Sequence, residues 1–423
     1  MSSQSGFTYE RRVEVINSPM NILYLNHYAG TPSLGMEYRP YYLAREWVRA
    51  GHAVTVVAAN FSHVRARQPQ AEQEEVDGIN YNWLPTPGYQ GNGLGRVKNI
   101  WSFLCQMWRL APALVAACQP DVVVASSTYP MDIWVARRMA RLAGARLVYE
   151  VHDLWPASPM ELSGMPWWHP FILLCQKAEN DAYRDAARVV SMLPNVAGHM
   201  AAHGLDLHKL HIVPNGISPE EWGGPAEALP APLAAHLQSL RAANRIVVGY
   251  AGSHGVPNAL DVLLDAATLM QHENMAFVLV GDGHEKERLA QRVQAEGLHN
   301  VRLFAPVAKG QIPALLQQLD IAYIGWKRVA LYRFGIAPNK LMDYMMAGCA
   351  VLHSVEAGND PVADAGCGLT VVPESADAVA QGLQRLANAT PEQRQQMGER
   401  GRAYVLAHHT YPVLARRFIE AIA

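Results

Sequence analysis

The feature that most constrains the fold of this 423-residue chain is a regular alternation of short apolar runs with helical patterns. The run 21–26 predicts a buried strand, the stretch 37–50 predicts a helix, and 54–58 predicts the next strand. A strand, a helix and a strand in this order form a right-handed parallel unit. The alternation therefore predicts a parallel sheet covered by helices on both faces, with further strands at 122–125, 147–151, 189–192 and 211–213.

A second set of alternating strands and helices follows the first. Its strands are predicted at 246–250, 276–280, 301–304, 321–324 and 349–353. The intervening segment is rich in Pro and Gly, which is typical of a connection between domains. Because 423 residues are too many for one ordinary core, we predict an α/β fold of two doubly wound Rossmann-like domains that face a central cleft.

The same patterns give the domain boundaries. We expect a flexible N-terminal extension at 1–19, a first domain at 20–215 and a linker at 216–243. The second domain follows at 244–405, and a helix at 406–423 is expected to cross back to the first domain.

Composition excludes several classes of protein. A net charge of −2 argues against a nucleic-acid-binding protein, which usually has a basic excess. Five scattered cysteines without C-x-x-C spacing make a disulfide scaffold or a zinc site a poor interpretation, and they favour a reducing cytoplasm. The sequence shows neither a signal peptide nor a run of about 18 apolar residues, so we expect no transmembrane helix.

The segment 331–351 carries the strongest functional signal. A loop containing Arg, Gly and Pro leads into a helical pattern that begins near Asn339 and Lys340 and stops at Gly348. Unpaired N–H groups and the dipole at a helix start bind anions. Asp343, further along the helix, could accept hydrogen bonds from a sugar diol. Phosphate and ribose groups together suit a nucleoside diphosphate.

Ligands of doubly wound sheets bind at the carboxyl ends of the strands. In the first domain this rule selects the loop 26–39 and the pair His152-Asp153. A histidine there can bind sugar hydroxyls or move protons near neutral pH, although a structural Asp that caps a turn is the alternative. In the loop, Gly35 could let the backbone approach a phosphate closely, whereas the alternative is an ordinary flexible loop.

In the second domain, small and polar residues follow two predicted strands. Gly252, Ser253 and His254 suit a diphosphate, and Gly281 and Asp282 suit a base or ribose pocket, unless these glycines simply form turns.

Two further loops of the second domain carry polar groups. Lys327 and Arg328 follow a strand beside Arg333 and Lys340, and four cations near one helix start suggest phosphate rather than a solvated face. In the turn 355–362, Gly358, Asn359 and Asp360 could contact a sugar's hydroxyls or phosphate oxygens. The alternative is that Asn359 or Asp360 caps the following helix.

Two apolar clusters, at 97–110 and 165–174, allow two interpretations. They could be buried, or their aromatic residues and flanking cations could lie at the headgroup level of a membrane. We therefore expect a cytoplasmic protein that contacts the inner face of the plasma membrane peripherally.

The order of these motifs resembles the GT-B glycosyltransferases of glycosyltransferase family 4, from about residue 20 to the end. The matching motifs are Gly-Met-Glu within 35–56, Tyr-Glu-Val-His-Asp-Leu-Trp-Pro at 149–156, Val-Pro-Asn-Gly-Ile at 213–217, Val-Gly-Asp-Gly at 280–283, and Pro-Asn-Lys-Leu-Met-Asp-Tyr-Met-Met-Ala-Gly at 338–348. The run 331–340 is especially similar to a subgroup that builds O-antigen and capsule repeat units, including N-acetyl-fucosamine transferases.

The resemblance implies a retaining enzyme that needs no metal or cofactor and uses a nucleotide sugar, typically UDP-linked. The second glutamate of the family's E-x7-E motif matches Asp343, which the resemblance implies binds ribose, and the first falls on Gly335. Ser253-His254 replaces the usual Arg and Lys-Gly pair, which leaves Lys327 and Lys340 as diphosphate ligands. The family's cleft histidine maps to His152.

We therefore expect sugar transfer with retention to a polyprenyl-diphosphate-linked saccharide in bacterial surface polysaccharide synthesis. The expected catalytic residues are His152, Asp153, Lys327 and Lys340. In the first loop we assign Gly35 to the donor, and we assign His27, Glu37 and Arg39 to the acceptor. A non-hydrolysing UDP-sugar 2-epimerase on the same two-domain plan is one alternative. An inactive nucleotide-sugar-binding protein is another, since Gly335 replaces a family carboxylate.

Overall fold

The computed structural model describes residues 18–35, 38–91, 93–225 and 227–423. An eight-stranded sheet forms the first domain, in the spatial order β3-β4-β2-β1-β5-β6-β7-β8. All neighbouring strands are parallel except the β3–β4 hairpin. The strands are β1 Asn21–Leu25, β2 Ala53–Ala59, β3 Gln73–Val76, β4 Ile79–Leu84, β5 Val122–Ala125, β6 Arg146–Val151, β7 Arg188–Ser191 and β8 Leu210–Ile212.

Helices cover both faces of this sheet, as its two-sided apolar strands require. One cluster packs β1, β5 and β6 against α2, α3 and α5, and the other packs the opposite face against α1. The helices are α1 Tyr38–Arg49, α2 Leu94–Cys118, α3 Asp132–Ala143, α4 Ala157–Ser163, α5 Pro170–Asp185 and α6 Ala197–Ala202.

A six-stranded parallel sheet forms the second domain, in the order β11-β10-β9-β12-β13-β14. Its apolar strands are buried, which explains why the sequence shows them as continuous hydrophobic runs. The strands are β9 Ile246–Ala251, β10 Met275–Val280, β11 Val301–Phe304, β12 Ile321–Gly325, β13 Ala350–Ser354 and β14 Gly368–Thr370. The prediction of two Rossmann-like domains is confirmed.

The helices around the second sheet include one from the predicted linker. Leu233 and Leu237 of α7 pack with Val247 of β9, so this helix belongs to the second domain rather than to a free connection. The helices are α7 Ala231–Ala242, α8 Leu260–Leu269, α9 Lys286–Ala295, α10 Ile312–Leu316, α11 Asn339–Ala347, α12 Pro361–Ala365, α13 Ala376–Asn388, α14 Pro391–His408 and α15 Tyr411–Ile422.

The chain returns to the first domain at its end. Phe418 of α15 packs against Trp47 of α1, and the Trp47 indole N–H donates to the carbonyl of Ala415 at 3.2 Å. Two chain segments therefore connect the domains, one near Gly216 and one at Thr410, and they pair beside each other through Ile217.

Within the part of the chain that the structure describes, α2 (Leu94–Cys118) is the one helix long and apolar enough to cross a membrane by length and composition alone, and 28% of its most apolar window is buried. A core helix can pass the same test, so the expectation of no transmembrane helix stays a prediction. One stripe of α2, which includes Ile100, Phe103 and Met107, packs into the first domain's core. The other face exposes Trp101 and Trp108. The structure thus combines both earlier interpretations of this apolar cluster, burial and exposure, in one helix.

Candidate active site

In the second domain, the loops that follow β9 and β10 lie against each other at Gly252 and Gly281. We call the surface of these two loops the floor of the site. The N–H of Gly252 donates to the carbonyl of Val280, and a Cβ on Gly281 would lie 1.8 Å from the Gly252 oxygen. A Cβ on Gly252 would lie 3.1 Å from the Lys340 ammonium. Both loops therefore need glycine so that backbone, and any ligand above it, can approach closely.

Lys340 lies over this floor in the first turn of α11. Its ammonium donates to the Tyr250 hydroxyl at 2.9 Å and to Asn258 Oδ1 at 2.7 Å. Both partners are neutral, and burial lowers the pKa of Lys340 to about 8. An ammonium has three protons to donate, so one remains for an anion.

The start of α11 lies beside this lysine. Its first residue, Asn339, is exposed, and its side chain accepts a hydrogen bond from Asn215. The N-cap is Pro338, whose side chain makes no capping hydrogen bond. The first N–H groups of a helix have no partner within the helix and attract negative charge. Lys340 and this helix start thus form one anion-binding corner.

Asp343 lies one turn further along α11. It is partly exposed, and burial raises the pKa of its carboxyl to about 7 although the Lys309 charge opposes the shift. The Lys309 ammonium bonds the Tyr42 hydroxyl at 3.0 Å and Glu221 at 2.7 Å, so groups from both domains meet near Asp343. A diol ligand would supply hydrogen bonds to this carboxylate.

The neighbouring Ser253 and His254 differ in accessibility. Ser253 is exposed, whereas His254 is fully buried beneath Gly281 and Gly283. Among the described residues neither ring nitrogen of His254 has a hydrogen-bond partner. Burial lowers the pKa of this imidazole to about 4. His254 therefore packs beneath the loops of the floor, and Asp282 lies exposed at the rim.

The four cationic side chains expected near the start of α11 do not all bind there. Arg328 pairs with Glu356 at 3.2 Å, and Arg333 reaches across to Glu161 of α4 with two bonds of 2.7 and 2.8 Å. Lys327 is exposed beside the loop that follows β9, and its backbone N–H donates to the carbonyl of Pro257. The expectation that Arg328 and Arg333 need a phosphate is thus wrong, because carboxylates distant in sequence neutralise them.

The turn before α12 mainly makes hydrogen bonds to other parts of the second domain. Asp360 caps α12 by accepting the Ala363 N–H at 3.0 Å, which is the structural alternative considered above. Asn359 clamps Ile336 with two hydrogen bonds of 2.7 and 3.0 Å. The N–H of Gly358 donates to the carbonyl of Tyr332 at 2.8 Å. These residues therefore shape the loop before α11, and a direct contact with the donor remains a prediction.

In the first domain, His152 lies on a buried polar network. Its Nε2 is 2.9 Å from Ser126 Oγ and 3.3 Å from Glu150 Oε2. Arg39 and His152 hold the pKa of Glu150 below its usual range despite complete burial. Asp153, the next residue after His152, is exposed, and the loss of hydration among its neighbouring groups raises the pKa of its carboxyl.

The sequence analysis did not name Ser126 or Glu150 as site residues. Ser126 follows β5, and the order of the strands reverses between β1 and β5. Ligands bind at such a topological switch point, so this position was the available signal for Ser126.

The predicted acceptor residues require correction. Arg39 is 4% exposed and donates to Glu150 and to the carbonyls of Val213 and Pro214, so it fixes the interdomain connection from inside. His27 is completely buried between the Tyr129 hydroxyl and Asn99, and burial lowers the pKa of its imidazole to about 3.

The two remaining residues of that loop differ in what can be said of them. Gly35 has a positive φ of 77°, and a Cβ there would lie 3.2 Å from Ala66, so the glycine serves a turn of the first domain. Glu37 lies outside the described residues.

Contacts between the domains complete the site. Phe334 lies at the edge of the first domain's core, with 7% of its surface exposed. The N–H of Asn195 donates to the carbonyl of Phe334, and the Asn195 amide donates to the carbonyl of Gly358. Together with the Arg333–Glu161 pair, these contacts hold the loop before α11 against α4 and α6.

Comparison with known families now identifies the fold. A family model described as "Glycosyl transferase 4-like domain" matches residues 35–216, and one described as "Glycosyl transferases group 1" matches residues 236–404. The chain belongs to the GT-B glycosyltransferases. The first matched region contains all strands of the first sheet except β1, and the second contains the whole second sheet. Of the site residues discussed above, His27 and Glu221 lie outside both regions.

A curated relative is WcaI of Escherichia coli (strain K12), named for glycosyl transfer in colanic acid biosynthesis. It is 29% identical over 146 residues, which are 34% of this chain and 35% of WcaI. The aligned region thus spans about a third of that relative.

Solved structures show the same fold. HepE of Anabaena, solved with UDP and glucose, is 17% identical with a TM-score of 0.64, over 95% of this chain and 98% of HepE. Sucrose-phosphate synthase of Thermosynechococcus elongatus has a TM-score of 0.69 at 17% identity, over 93% and 96% of the two chains. WaaG, described as a glycosyltransferase of lipopolysaccharide biosynthesis, has a TM-score of 0.63 at 17% identity, over 95% and 99%.

Proposed function

We propose that this GT-B glycosyltransferase moves a sugar, with retention, from a UDP-sugar to a polyprenyl-diphosphate-linked saccharide during surface polysaccharide synthesis. The observation that carries the proposal is the corner formed by Lys340 and the start of α11. A half-buried ammonium with neutral partners, placed at a helix start, suits the diphosphate of a nucleotide sugar.

The donor would lie along the second domain. Its pyrophosphate would rest on Gly252 and the first N–H groups of α11, next to Lys340. The ribose diol would bind Asp343 at about the spacing of one helical turn from the phosphate, and Lys327 would approach from the loop side. Solved structures of this fold contain UDP or UDP-glucose, and this supports the choice of nucleotide.

In the transfer step the bond between the anomeric carbon and the phosphate oxygen breaks, and a bond to the acceptor oxygen forms on the same face. The departing diphosphate takes the proton of the acceptor hydroxyl. Lys340 and the α11 N–H groups stabilise the negative charge that develops on the leaving group, which is usually a large contribution to catalysis. His152 and Asp153 face the sugar or acceptor from the first domain, and no step requires a metal.

A lipid-linked acceptor agrees with the exposed face of the first domain. Trp101 and Trp108 of α2 and Trp167 and Trp168 before α5 are between 41% and 69% exposed. The Arg138 guanidinium stacks on the Trp108 ring at 4.5 Å. Aromatic rings beside cations are typical of surfaces that contact anionic headgroups. The relation to WcaI, a colanic acid enzyme by name, supports a polysaccharide product.

Replacement of Lys340 tests this proposal. Lys340→Ala should lower sugar transfer by about 10²–10³-fold, as loss of one donor to a developing anion does, and should weaken UDP binding measured by calorimetry. Arg402→Ala removes an exposed cation of α14 and serves as the matched control. Near-normal turnover of the Lys340→Ala protein would contradict the proposal. Incubation of UDP-sugars without acceptor tests the epimerase alternative, which predicts a 2-epimer as product.

A further inference from the structure

A second cluster of chemistry-bearing side chains lies outside the cleft, between α5 and α6. It contains Glu179 of α5, His199 of α6 and His203, which directly follows α6. The spacing of four residues places both histidines on one side of the helix. One ligand atom from each of the three residues lies within 4.8 Å of the other two.

The distances suit a small metal ion. His199 Nε2 lies 3.2 Å from Glu179 Oε1. Two ligands of a tetrahedral zinc ion, each at 2.0–2.1 Å from the metal, lie about 3.4 Å apart. This pair therefore has nearly the separation that shared coordination requires, and the third ligand atom, on His203, lies within 4.8 Å of both.

Neighbouring groups orient the candidate ligands. His203 Nδ1 lies 2.9 Å from the carbonyl oxygen of His199, and an N–H donated there would leave Nε2 as the ligating nitrogen. Tyr183 donates its hydroxyl to Glu179 Oε1 at 2.8 Å, and the Gln176 amide donates to Oε2 at 2.7 Å. Such outer hydrogen bonds are the usual support of metal ligands.

We propose that Glu179, His199 and His203 form a zinc site. Two imidazoles and one carboxylate favour zinc and its transition-metal neighbours over magnesium or calcium, which prefer oxygen ligands. Glu179 is buried, whereas both histidines are partly exposed, so a metal can reach the site and keep a water as its fourth ligand.

The position of this site gives it a structural consequence. The ring of His199 packs edge-on against Phe334, with centroids 5.2 Å apart. A metal that fixes His199 would therefore stiffen the surface on which the loop before α11 rests. The metal would take no part in sugar transfer, because the diphosphate corner lies in the other domain.

A zinc titration of the untagged full chain tests the proposal. After treatment with a chelator, the protein should bind one Zn²⁺ per chain in competition with a chromophoric chelator. His203→Ala and Glu179→Gln should each weaken binding by at least about 100-fold, because loss of an outer hydrogen bond alone costs 10- to 100-fold. His208→Ala, which removes an exposed histidine nearby, should bind like the parent protein.

A thermal shift gives an independent readout. Zn²⁺ should raise the Tm of the parent chain and of the His208→Ala variant, but not that of the His203→Ala variant, because a ligand stabilises only the state that binds it. His203 is partly exposed and outside a helix, so this variant should fold. Equal zinc binding by the parent chain and the His203→Ala variant, or no binding by the parent, would overturn the proposal.

Discussion

At the scale of single residues, the central feature is a lysine that has no carboxylate partner among the residues the structure describes. Lys340 is supported by the hydroxyl of Tyr250 and the amide oxygen of Asn258, so its charge remains available. Arg39 shows the opposite arrangement, since Glu150 and two backbone carbonyls use its guanidinium fully. Residue type alone does not distinguish these cases, whereas the partners do.

Asp343 leads to a prediction about pH. Its pKa is about 7 in the folded protein against an ordinary value of 3.8, so folding favours the protonated form. Its contribution to stability is complete below pH 4 and is lost as the pH rises through 7. Asp343→Asn should therefore raise the free energy of unfolding at pH 8 by about 1–2 kcal/mol, after allowance for partial exposure. At pH 4 the gain should be smaller.

Denaturant unfolding at both pH values measures this difference. The same substitution should weaken UDP binding, because an amide is a poorer acceptor than a carboxylate for a ribose diol. A stability gain that is equal at pH 4 and pH 8 would show that folding does not raise the pKa of this carboxyl.

At the scale of elements, local pattern and long-range pairing give different information. The apolar runs that form β1, β5 and β9 were predicted because burial on both faces leaves a continuous hydrophobic signal. The β3 strand, Gln73–Val76, was missed because its polar sequence lies at a sheet edge. The pairing of Arg333 with Glu161 spans 172 residues, and no local pattern contains it.

The loop before α11 provides a test at this scale. Phe334 is 7% exposed against the first domain, so Phe334→Ala should release residues 330–336. Trypsin should then cleave after Arg333 or Arg328 several-fold faster, as local opening requires. Leu406→Ala, which removes an exposed side chain of α14, is the control. Unchanged cleavage of the Phe334→Ala protein would show that this ring does not hold the loop.

The exposed face of α2 provides a second test at the scale of elements. Trp101→Ala together with Trp108→Ala should lower binding to vesicles that contain anionic lipid by about tenfold, since both rings are partly exposed and apolar. The measurement is cosedimentation, again with Leu406→Ala as control. Vesicle binding that survives the double substitution would place membrane contact elsewhere.

At the scale of the whole molecule, two largely parallel sheets form two domains that contact each other at the start of α11 and at the loop before it. Two rules of sheet topology were enough to predict this arrangement: parallel strands alternate with helices, and ligands bind at strand ends. The strand-end rule selected the loop that holds His152, whereas Lys340 and Asp343 were predicted from the helix start, and the roles of all three residues remain predictions. The two sheet rules could not show that His27 and Arg39 are buried, because burial depends on α2 and the interdomain connection, which lie far away in sequence.

Groups from both domains position the start of α11. Asn215 of the connection bonds Asn339 at the start of α11, and Asn195 of the first domain holds the backbone at Phe334. The anion-binding corner is thus placed by its own domain and oriented by the other. A change in domain orientation would alter these contacts before it altered either core.

The most direct measurement is a crystal structure of the protein with UDP. The account predicts that the pyrophosphate lies within hydrogen-bond distance of Lys340 Nζ and of the first backbone N–H groups of α11, with the ribose at Asp343. A pyrophosphate bound elsewhere, or a start of α11 occupied by protein groups, would contradict it.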